Sequence, residues 1–230
     1  ALHAPLEVGE GAIALDPRRG GQHPVGGRAR RVGVGPRVDH RLDPAERGVP
    51  GVRFNLLDRP RGNVKLDVLD RCVEHIAEFR WSVDLHIDTK NLLEQERRIL
   101  TMPIPVVIDH MARVKPAEGL DQPAFRLLLD LLKPRHVWVK VSGADKICNT
   151  KVHSYCGLPF IEVIPFARAV IAAAPDRIIW GTDWPHSNNF VPGHTPKDGD
   201  LVDLLAAFTP DEHISRKILV ENPAMLYRFD

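Results

Sequence analysis

The strongest fold signal in the chain is the segment Arg177-Ile178-Ile179-Trp180-Gly181-Thr182-Asp183-Trp184-Pro185-His186. The apolar run at 178–180 has the length and β-branched content of a strand buried on both faces, and it ends at Gly181. Pro185 cannot continue a central strand. An isolated Asp at this place is most simply a capping residue in a tight turn. A carboxylate at the carboxyl end of a buried parallel strand also stands where α/β enzymes keep their reacting groups.

Strand and helix patterns alternate on the amino-terminal side of this segment. We predict strands over residues 52–55, 81–87, 105–108, 137–141 and 178–180. Helical periodicity predicts helices over residues 66–79, 92–100, 124–132 and 161–174. Two helices follow the last strand, and Thr209-Pro210-Asp211-Glu212 predicts a capping box at the start of the second. This alternation predicts an α/β fold of parallel strands joined by helices, but five clear units are fewer than the eight of a complete barrel.

Composition narrows the classes of protein and partner. The chain of 230 residues is 43% hydrophobic, which suffices for one barrel domain over residues 1–230. The net charge of +1 argues against a nucleic-acid partner, and no apolar run is long enough to span a membrane. We therefore expect a small-molecule partner. Three cysteines without a C-x-x-C pair favour a reducing cytoplasm. The sequence does not indicate an oligomeric state.

The first 50 residues differ in composition from the rest of the chain. They contain nine of the 17 glycines, eight arginines, no lysine and no aromatic residue, which is typical of a loop or a disordered segment. Only Arg31 to Gly35 has a strand-like pattern. The N-terminus also lacks the order of charged and apolar residues found in a signal peptide. A fragment, a diverged segment and a mistranslated segment all remain open as explanations.

Ionisable and polar side chains recur at the ends of the predicted strands. Each has an ordinary explanation when it is considered alone: an Arg after a strand is usually solvated or ion-paired, and a His in an apolar strand is usually a satisfied core residue. In a parallel barrel, however, all strand ends meet at one rim. We expect a common pocket there, with residues contributed by five units: Arg53 and Arg59, His86, His110 and Arg113, Ser142 and Lys146, and Asp183 and His186.

Two motifs resemble a known family. The segment Trp180 to His186 and the segment Val107-Ile108-Asp109-His110-Met111-Ala112-Arg113 resemble the amidohydrolase-related (β/α)8 barrels. Within that family they look most like the 2-pyrone-4,6-dicarboxylate lactonase branch, which hydrolyses carboxylated lactones. The resemblance begins near Gly51 and extends to a closing segment, Asn222 to Tyr227. It implies a TIM-type (β/α)8 barrel, incomplete or irregular over the first 50 residues.

The resemblance also implies roles for individual residues. Asp183 corresponds to the general base that activates water, and His110 belongs to the polar set that faces the substrate. Positively charged and imidazole side chains would hold the carboxylates and the carbonyl oxygen of an anionic substrate: Arg53, Arg59, His86, Arg113, Lys146 and His186. Pre-placed donors of this kind would stabilise the oxyanion that forms when water attacks a lactone. The resemblance implies no metal and no other cofactor.

The chain departs from this family pattern in three places. Lys146 stands where we expect an arginine, and His86 stands where we expect a tyrosine; Lys and Arg are not equivalent partners for a carboxylate. The His-x-His pair that ends the first strand in the wider superfamily is missing. Two alternatives therefore stand beside a lactone hydrolase: a metal-dependent hydrolase or decarboxylase with Zn²⁺ or Mn²⁺ on His110, Asp183 and His86, and an inactive or truncated barrel.

Overall fold

The protein is built on a sheet whose strands lie in the order of the sequence, β1 to β6. The computed structural model describes residues 50–57, 64–148, 157–186 and 195–229, together with the backbone of a two-residue strand at 13–14. β1 (Ile13–Ala14) pairs antiparallel with β2. The other five strands are parallel: β2 (Gly51–Asn55), β3 (Ser82–His86), β4 (Val106–Ile108), β5 (Val137–Val141) and β6 (Ile178–Trp180).

Helices connect these parallel strands, as expected for right-handed crossovers in an α/β protein. The α-helices are α1 (Leu66–Ala77), α2 (Thr89–Thr101), α3 (Pro123–Leu131), α4 (Ala144–Ile147), α5 (Ile164–Ala173), α6 (Asp198–Phe208), α7 (Glu212–Arg216) and α8 (Asn222–Tyr227). Short 3₁₀ turns cover Pro116–Glu118, Ile161–Val163 and Pro175–Arg177, a turn with mostly left-handed backbone covers Asp109–Arg113, and a π-helical turn covers Lys217–Glu221. Within the described ranges, no helix is long and apolar enough to cross a membrane. Five consecutive parallel βα units form the repeat of a (β/α)8 barrel.

The periodicity of the sequence predicted the parallel strands and the helices between them to within a few residues. The predicted capping box at Thr209 is wrong. The helix begins at Glu212, and its N-cap is Asp211, whose carboxylate accepts from the backbone N–H groups of His213 and Ile214. An Asp with extended backbone next to the first helical residue is already a strong cap, so Thr209 is not needed. The strand predicted at Arg31 to Gly35 lies outside the described residues.

The sheet has two different faces because side chains alternate along each strand. One face packs against the connecting helices and forms the main core, which contains Phe54, Leu85, Ile108, Val139 and other buried apolar residues. The second face would line the interior of a closed barrel. It carries a smaller apolar cluster of Val107, Trp138, Ile179 and Leu226, with Tyr227 packed against it.

The C-terminal segment is fastened to the sheet by one buried amide. Asn222 is almost fully buried, and its Nδ2 donates to the carbonyl oxygens of Pro175 and Ile178, at 2.8 and 2.7 Å. These bonds satisfy two carbonyl groups where the chain enters β6, which would otherwise be left without partners away from water. The Asn222-Pro223 pair thus fixes where α8 begins and brings Tyr227 onto the second face.

His86 is a buried polar residue of the second face, at the carboxyl end of β3. Its ring lies 5.1 Å from that of His110, edge to face, and neither of its nitrogens has a hydrogen-bond partner among the described residues. Burial, together with the positive charges of Arg53 and Arg113 and the neighbouring His110, lowers the pKa of His86 to about 2. His86 is therefore neutral in the folded protein at any pH near neutrality.

This burial predicts a loss of stability in mild acid. In the unfolded chain His86 takes up a proton below a pKa of about 6.5, whereas the folded protein does not. Above that pH, His86 is neutral in both states and does not affect the stability. Below it, proton binding favours the unfolded chain, so the free energy of unfolding falls as the pH is lowered. Between pH 7.5 and 5.5 we expect it to remove about 1.4 kcal/mol from the free energy of unfolding. His86→Phe keeps a ring but cannot titrate. Its free energy of unfolding, measured in urea, should therefore fall by about that much less than the wild-type value between the same two pH values.

The exposed His213 provides the matched control, and His213→Gln should follow the wild-type pH dependence. An unchanged acid loss in His86→Phe would mean that His86 is not held neutral by its surroundings.

Candidate active site

His110 and Arg113 reach the rim of the sheet on an unusual backbone turn after β4. Residues 110–113 all have positive φ, between 47° and 53°, and none of them is glycine. The left-handed conformation costs about 1–2 kcal/mol per residue for L-amino acids and is rarely repeated along the chain. Such strain persists only where surrounding contacts enforce it, and it is common at functional sites. The turn is closed by a bond from the Val114 N–H to the Met111 carbonyl, and residues 109–112 are buried.

A glycine after β5 makes room for the His110 ring. Gly143 has φ of 65°, and a Cβ atom placed there would lie 2.6 Å from Nδ1 and 2.7 Å from Cγ of His110. No side chain fits at this distance. The neighbouring Ser142 hydroxyl is 2.8 Å from His110 Nδ1 and fixes the orientation of the ring. The Ser-Gly pair therefore holds His110 from one side, while the left-handed turn presents it from the other.

Asp183 lies at the centre of the candidate site, in the turn that follows β6. Its Oδ1 is 3.6 Å from His110 Nε2, and its Oδ2 is 3.9 Å from Lys146 Nζ. The carboxylate keeps 21% of its surface exposed, whereas His110 is buried. Asp183 also has positive φ, of 66°. The structure thus places an accessible carboxylate between an imidazole and an ammonium group, each contributed by a different strand end.

Lys146 is held by a second carboxylate. Asp145, which is almost fully buried, accepts a hydrogen bond from Lys146 Nζ at 2.7 Å. The other oxygen of Asp145 is buried and has no partner among the described residues. Because a lysine side chain is long and flexible, this bond restricts the ammonium group to a position near Asp183. Sequence reasoning did not identify Asp145, although its position next to Lys146 was a usable signal.

Burial and charge also govern the protonation of the groups around Asp183. Burial lowers the pKa of His110, although Asp109 and Asp183 act in the opposite direction, so the imidazole is neutral at neutral pH. Burial likewise lowers the pKa of Arg113, against the opposing effect of Asp183. A guanidinium nevertheless stays charged in proteins. The Arg113 Nε atom is buried and has no hydrogen-bond partner in the described part of the chain.

The remaining predicted site residues occupy different places. Arg53 lies on β2, and its Nε donates to Asp109 at 2.5 Å, while His86 lies against His110. The ring of His186 is directed to α6, where its Nε2 lies 3.2 Å from Asp198, and not to the Asp183 carboxylate. Arg59 lies outside the described residues. The substrate-binding roles of these four residues stay predictions.

A network of two buried carboxylates and two partly buried cations beneath the site was not predicted. Lys140 Nζ donates to Asp84 at 2.9 Å and to Asp109 at 2.7 Å, and Asp109 in turn binds Arg53. A charged residue inside a buried parallel strand must be paired, because an isolated charge away from water is very costly. The alternation of Asp84 in β3 and Lys140 in β5 with apolar neighbours was therefore a signal that could have located the network.

A divalent metal would need three or four protein ligands. Among the described residues, no group of three or more His, Cys, Asp or Glu side chains is arranged to hold a metal ion. His110 contacts Ser142 through Nδ1, and its Nε2 faces Asp183. The prediction of no cofactor and its alternative, Zn²⁺ or Mn²⁺ on His110, Asp183 and His86, therefore both stay predictions.

Three known proteins show what the chain is similar to. It is 41% identical over 184 residues to a 4-sulfomuconolactone hydrolase of Hydrogenophaga intermedia, covering 79% of this chain and 58% of that protein. It is 36% identical over 211 residues to a 2-pyrone-4,6-dicarboxylate hydrolase of Comamonas testosteroni, covering 88% and 68%. A crystal structure of an Agrobacterium tumefaciens protein matches with 31% identity and a TM-score of 0.66, covering 81% and 64%. The chain thus spans less than three fifths of the first of these relatives.

The family model described as "Amidohydrolase" matches residues 25–229. This match begins 26 residues before Gly51, where the resemblance was expected to begin, so half of the atypical N-terminal segment still carries the family pattern. The fold, the order of the strands and this match agree, and the chain belongs to the amidohydrolase family of TIM-type (β/α)8 barrels.

Proposed function

We propose that the protein hydrolyses a lactone that carries acidic groups, with Asp183 as the base that activates water. The observation that carries this proposal is the placement of the Asp183 carboxylate between His110 Nε2 and Lys146 Nζ, at the rim where the parallel strands end. A solvent-accessible carboxylate that can act as a base, with two donors beside it, supplies the parts that ester hydrolysis requires.

The relatives support both the reaction and the substrate class. Two of those reported above are named as hydrolases of 4-sulfomuconolactone and of 2-pyrone-4,6-dicarboxylate, both lactones with acidic substituents. Arg113 and Lys146 offer this chain two cations beside Asp183, and Arg53 offers a third next to the buried network. Guanidinium groups suit planar anions such as carboxylates, because they donate two parallel hydrogen bonds.

The proposed reaction follows from these positions. Asp183 accepts a proton from a water molecule, and the water oxygen attacks the lactone carbonyl carbon. The negative charge that develops on the carbonyl oxygen is stabilised by donors near Asp183, for which Lys146 and His110 are placed. The carbon–oxygen bond of the ring then breaks, and the proton held by Asp183 passes to the leaving oxygen. Water is consumed, and an open-chain acid is formed.

His110 suits the role of a neutral donor. A neutral imidazole carries a proton on only one of its two nitrogens. Because Nε2 faces a carboxylate, a proton on Nε2 is favoured over a second lone pair at that position. The Ser142 hydroxyl then donates to Nδ1. This tautomer directs an N–H group toward the place where the carbonyl oxygen would lie, without adding a positive charge.

Three other expectations remain predictions. They are the lack of a nucleic-acid partner, a cytoplasmic location and a single domain over residues 1–230. The described cysteines, Cys72 and Cys148, are unpaired. A metal-dependent hydrolase or decarboxylase remains the alternative function, and an inactive barrel is the second alternative.

Asp183→Asn should abolish most of the activity. Asn keeps the size of the side chain but cannot accept the proton of water. On 2-pyrone-4,6-dicarboxylate or 4-sulfomuconolactone, whichever the wild type opens, kcat should fall by about 10²- to 10⁴-fold, with little change in the urea midpoint. The exposed Asp176, which pairs with Lys217 far from the site, provides the control Asp176→Asn. Retention of more than about a tenth of wild-type kcat by Asp183→Asn would exclude it as the essential base.

Arg113→Gln should weaken substrate binding instead. The substrate would lose a charge-assisted hydrogen bond of about 1.5–3 kcal/mol, so KM should rise about 10- to 100-fold while kcat changes only a few-fold. Arg126, which forms an exposed ion pair with Asp121, provides the control Arg126→Gln. A fall in kcat at unchanged KM would show that Arg113 acts on the transition state alone.

The lactonase activity should survive removal of metals. After dialysis against a chelator, with metal content measured by mass spectrometry, we expect the rate to stay within about twofold of the untreated protein, because no described ligand set fits a metal. Loss of activity that Zn²⁺ or Mn²⁺ restores would favour the metal-dependent alternative.

A further inference from the structure

The buried charge network on the second face connects directly to the candidate site. Asp109 precedes His110, and its two carboxylate oxygens have different partners. Oδ2 accepts from Arg53 Nε at 2.5 Å, and Oδ1 accepts from Lys140 Nζ at 2.7 Å. Because the ion pair uses Nε, the two terminal nitrogens of Arg53 take no part in it. Asp109 thus holds the guanidinium of Arg53 by one edge.

Asp84 is a second carboxylate that competes for Arg53. In the parallel pairing of β2 and β3, Asp84 lies directly opposite Arg53, and neighbouring strands are only about 4.8 Å apart. In the structure, however, Asp84 accepts its hydrogen bond from Lys140, at 2.9 Å, and not from Arg53. Lys140 is therefore the cation that occupies Asp84 and leaves Arg53 to Asp109.

The charges of these four residues cancel when all are ionised, and Lys140 favours the ionised form of Asp84 against burial, which raises the pKa of that carboxyl group. Arg53 and Lys140 supply two positive charges, and Asp84 and Asp109 supply two negative charges. Burial alone would lower the pKa of Lys140, but the two carboxylates raise it above its usual value, so the ammonium form is secure. Burial would also raise the pKa of Asp109, but Lys140 and Arg53 hold it below its usual range.

We propose that Lys140 is a positioning residue for the substrate-binding Arg53: by binding Asp84 and Asp109 together, it keeps the Arg53 guanidinium turned toward the site. Without Lys140, two buried carboxylates would share one cation. Arg53 would then bridge Asp84 and Asp109, and its terminal nitrogens would be withdrawn from the substrate. This role adds a positioning residue to the proposed lactone hydrolysis. Only its effect on the kinetics of lactone opening rests on that proposed function.

The charge balance makes it possible to distinguish a positioning role of Lys140 from a role in filling space. Lys140→Met keeps most of the side-chain volume but leaves one unpaired negative charge. The double variant Lys140→Met with Asp84→Asn removes that charge and restores the balance between Arg53 and Asp109. A positioning role predicts a defect in the single variant and its repair in the double variant. If Lys140 merely filled space, Asp84→Asn would repair nothing.

The first measurement does not depend on activity. In protein labelled with ¹⁵N-arginine, the Nε–H resonance of Arg53, assigned by its disappearance in Arg53→Lys, reports the bond to Asp109. We expect this resonance to move in Lys140→Met and to return to the wild-type position in the double variant. If the single variant fails to fold, the test is the position of the Arg53 Nε–H resonance in the double variant. A resonance displaced from the wild-type position in a folded double variant overturns the proposal.

The second measurement is the kinetics of lactone opening. Lys140→Met should raise KM by about tenfold or more with kcat within about threefold, and the double variant should return KM to within about threefold of wild type. Lys133→Met, which removes an exposed lysine paired with Asp130, should change neither value. A folded Lys140→Met with wild-type KM overturns the proposal. If no lactone is opened by the wild type, while the resonance moves and returns as expected, the proposed function fails and the positioning role stands.

Discussion

The described part of the site depends on one constraint, which is that charges removed from water must be paired. Lys140 is shared between Asp84 and Asp109, and Asp109 in turn binds Arg53, across three parallel strands and the turn after β4. Replacing such a set by apolar residues need not reduce stability, so stability does not explain its presence. A network of this kind does fix the relative register of side chains on neighbouring strands. Here it fixes Arg53 and the residue before His110.

The site residues themselves are presented by backbone that is costly to form. Four consecutive left-handed residues carry His110 and Arg113, Asp183 is left-handed as well, and Gly143 is needed to make room for the His110 ring. Regular continuation of the strands would direct the side chains alternately to the two faces of the sheet. The turns instead direct several side chains toward one point above the strand ends. The packed core beneath the turns offsets the free-energy cost of this backbone geometry.

The periodicity of the sequence predicted the parallel strands because buried strands and amphipathic helices follow different spacings. The convergence of Asp183, His110 and Lys146 followed from the same order, since parallel strands end at one rim. Sequence reasoning could not reveal that His186 turns to Asp198, because this depends on where α6 starts. It also missed the left-handed turn, since His110-Met111-Ala112-Arg113 contains no Gly, Asn or Asp, the residues that adopt this conformation routinely. Asp84 and Lys140 were overlooked although each is a charged residue in an apolar strand; the sequence signals that both need partners, but which residues pair is a tertiary property.

The formal charges of the described site cancel when every one of its carboxyl groups is ionised, and this affects how an anion would be recognised. The four cations are Arg53, Arg113, Lys140 and Lys146, and the four carboxylates are Asp84, Asp109, Asp145 and Asp183. An excess of positive charge among these groups would therefore not explain affinity for the proposed acidic lactone. What the described site does offer is direction. Asp109 binds Arg53, and Asp145 binds Lys146, each through one hydrogen bond. These bonds orient both side chains and leave their other N–H donors out of the contact. Recognition would then depend on the shape of the anion more than on its charge, as expected when charge-assisted hydrogen bonds are preorganised.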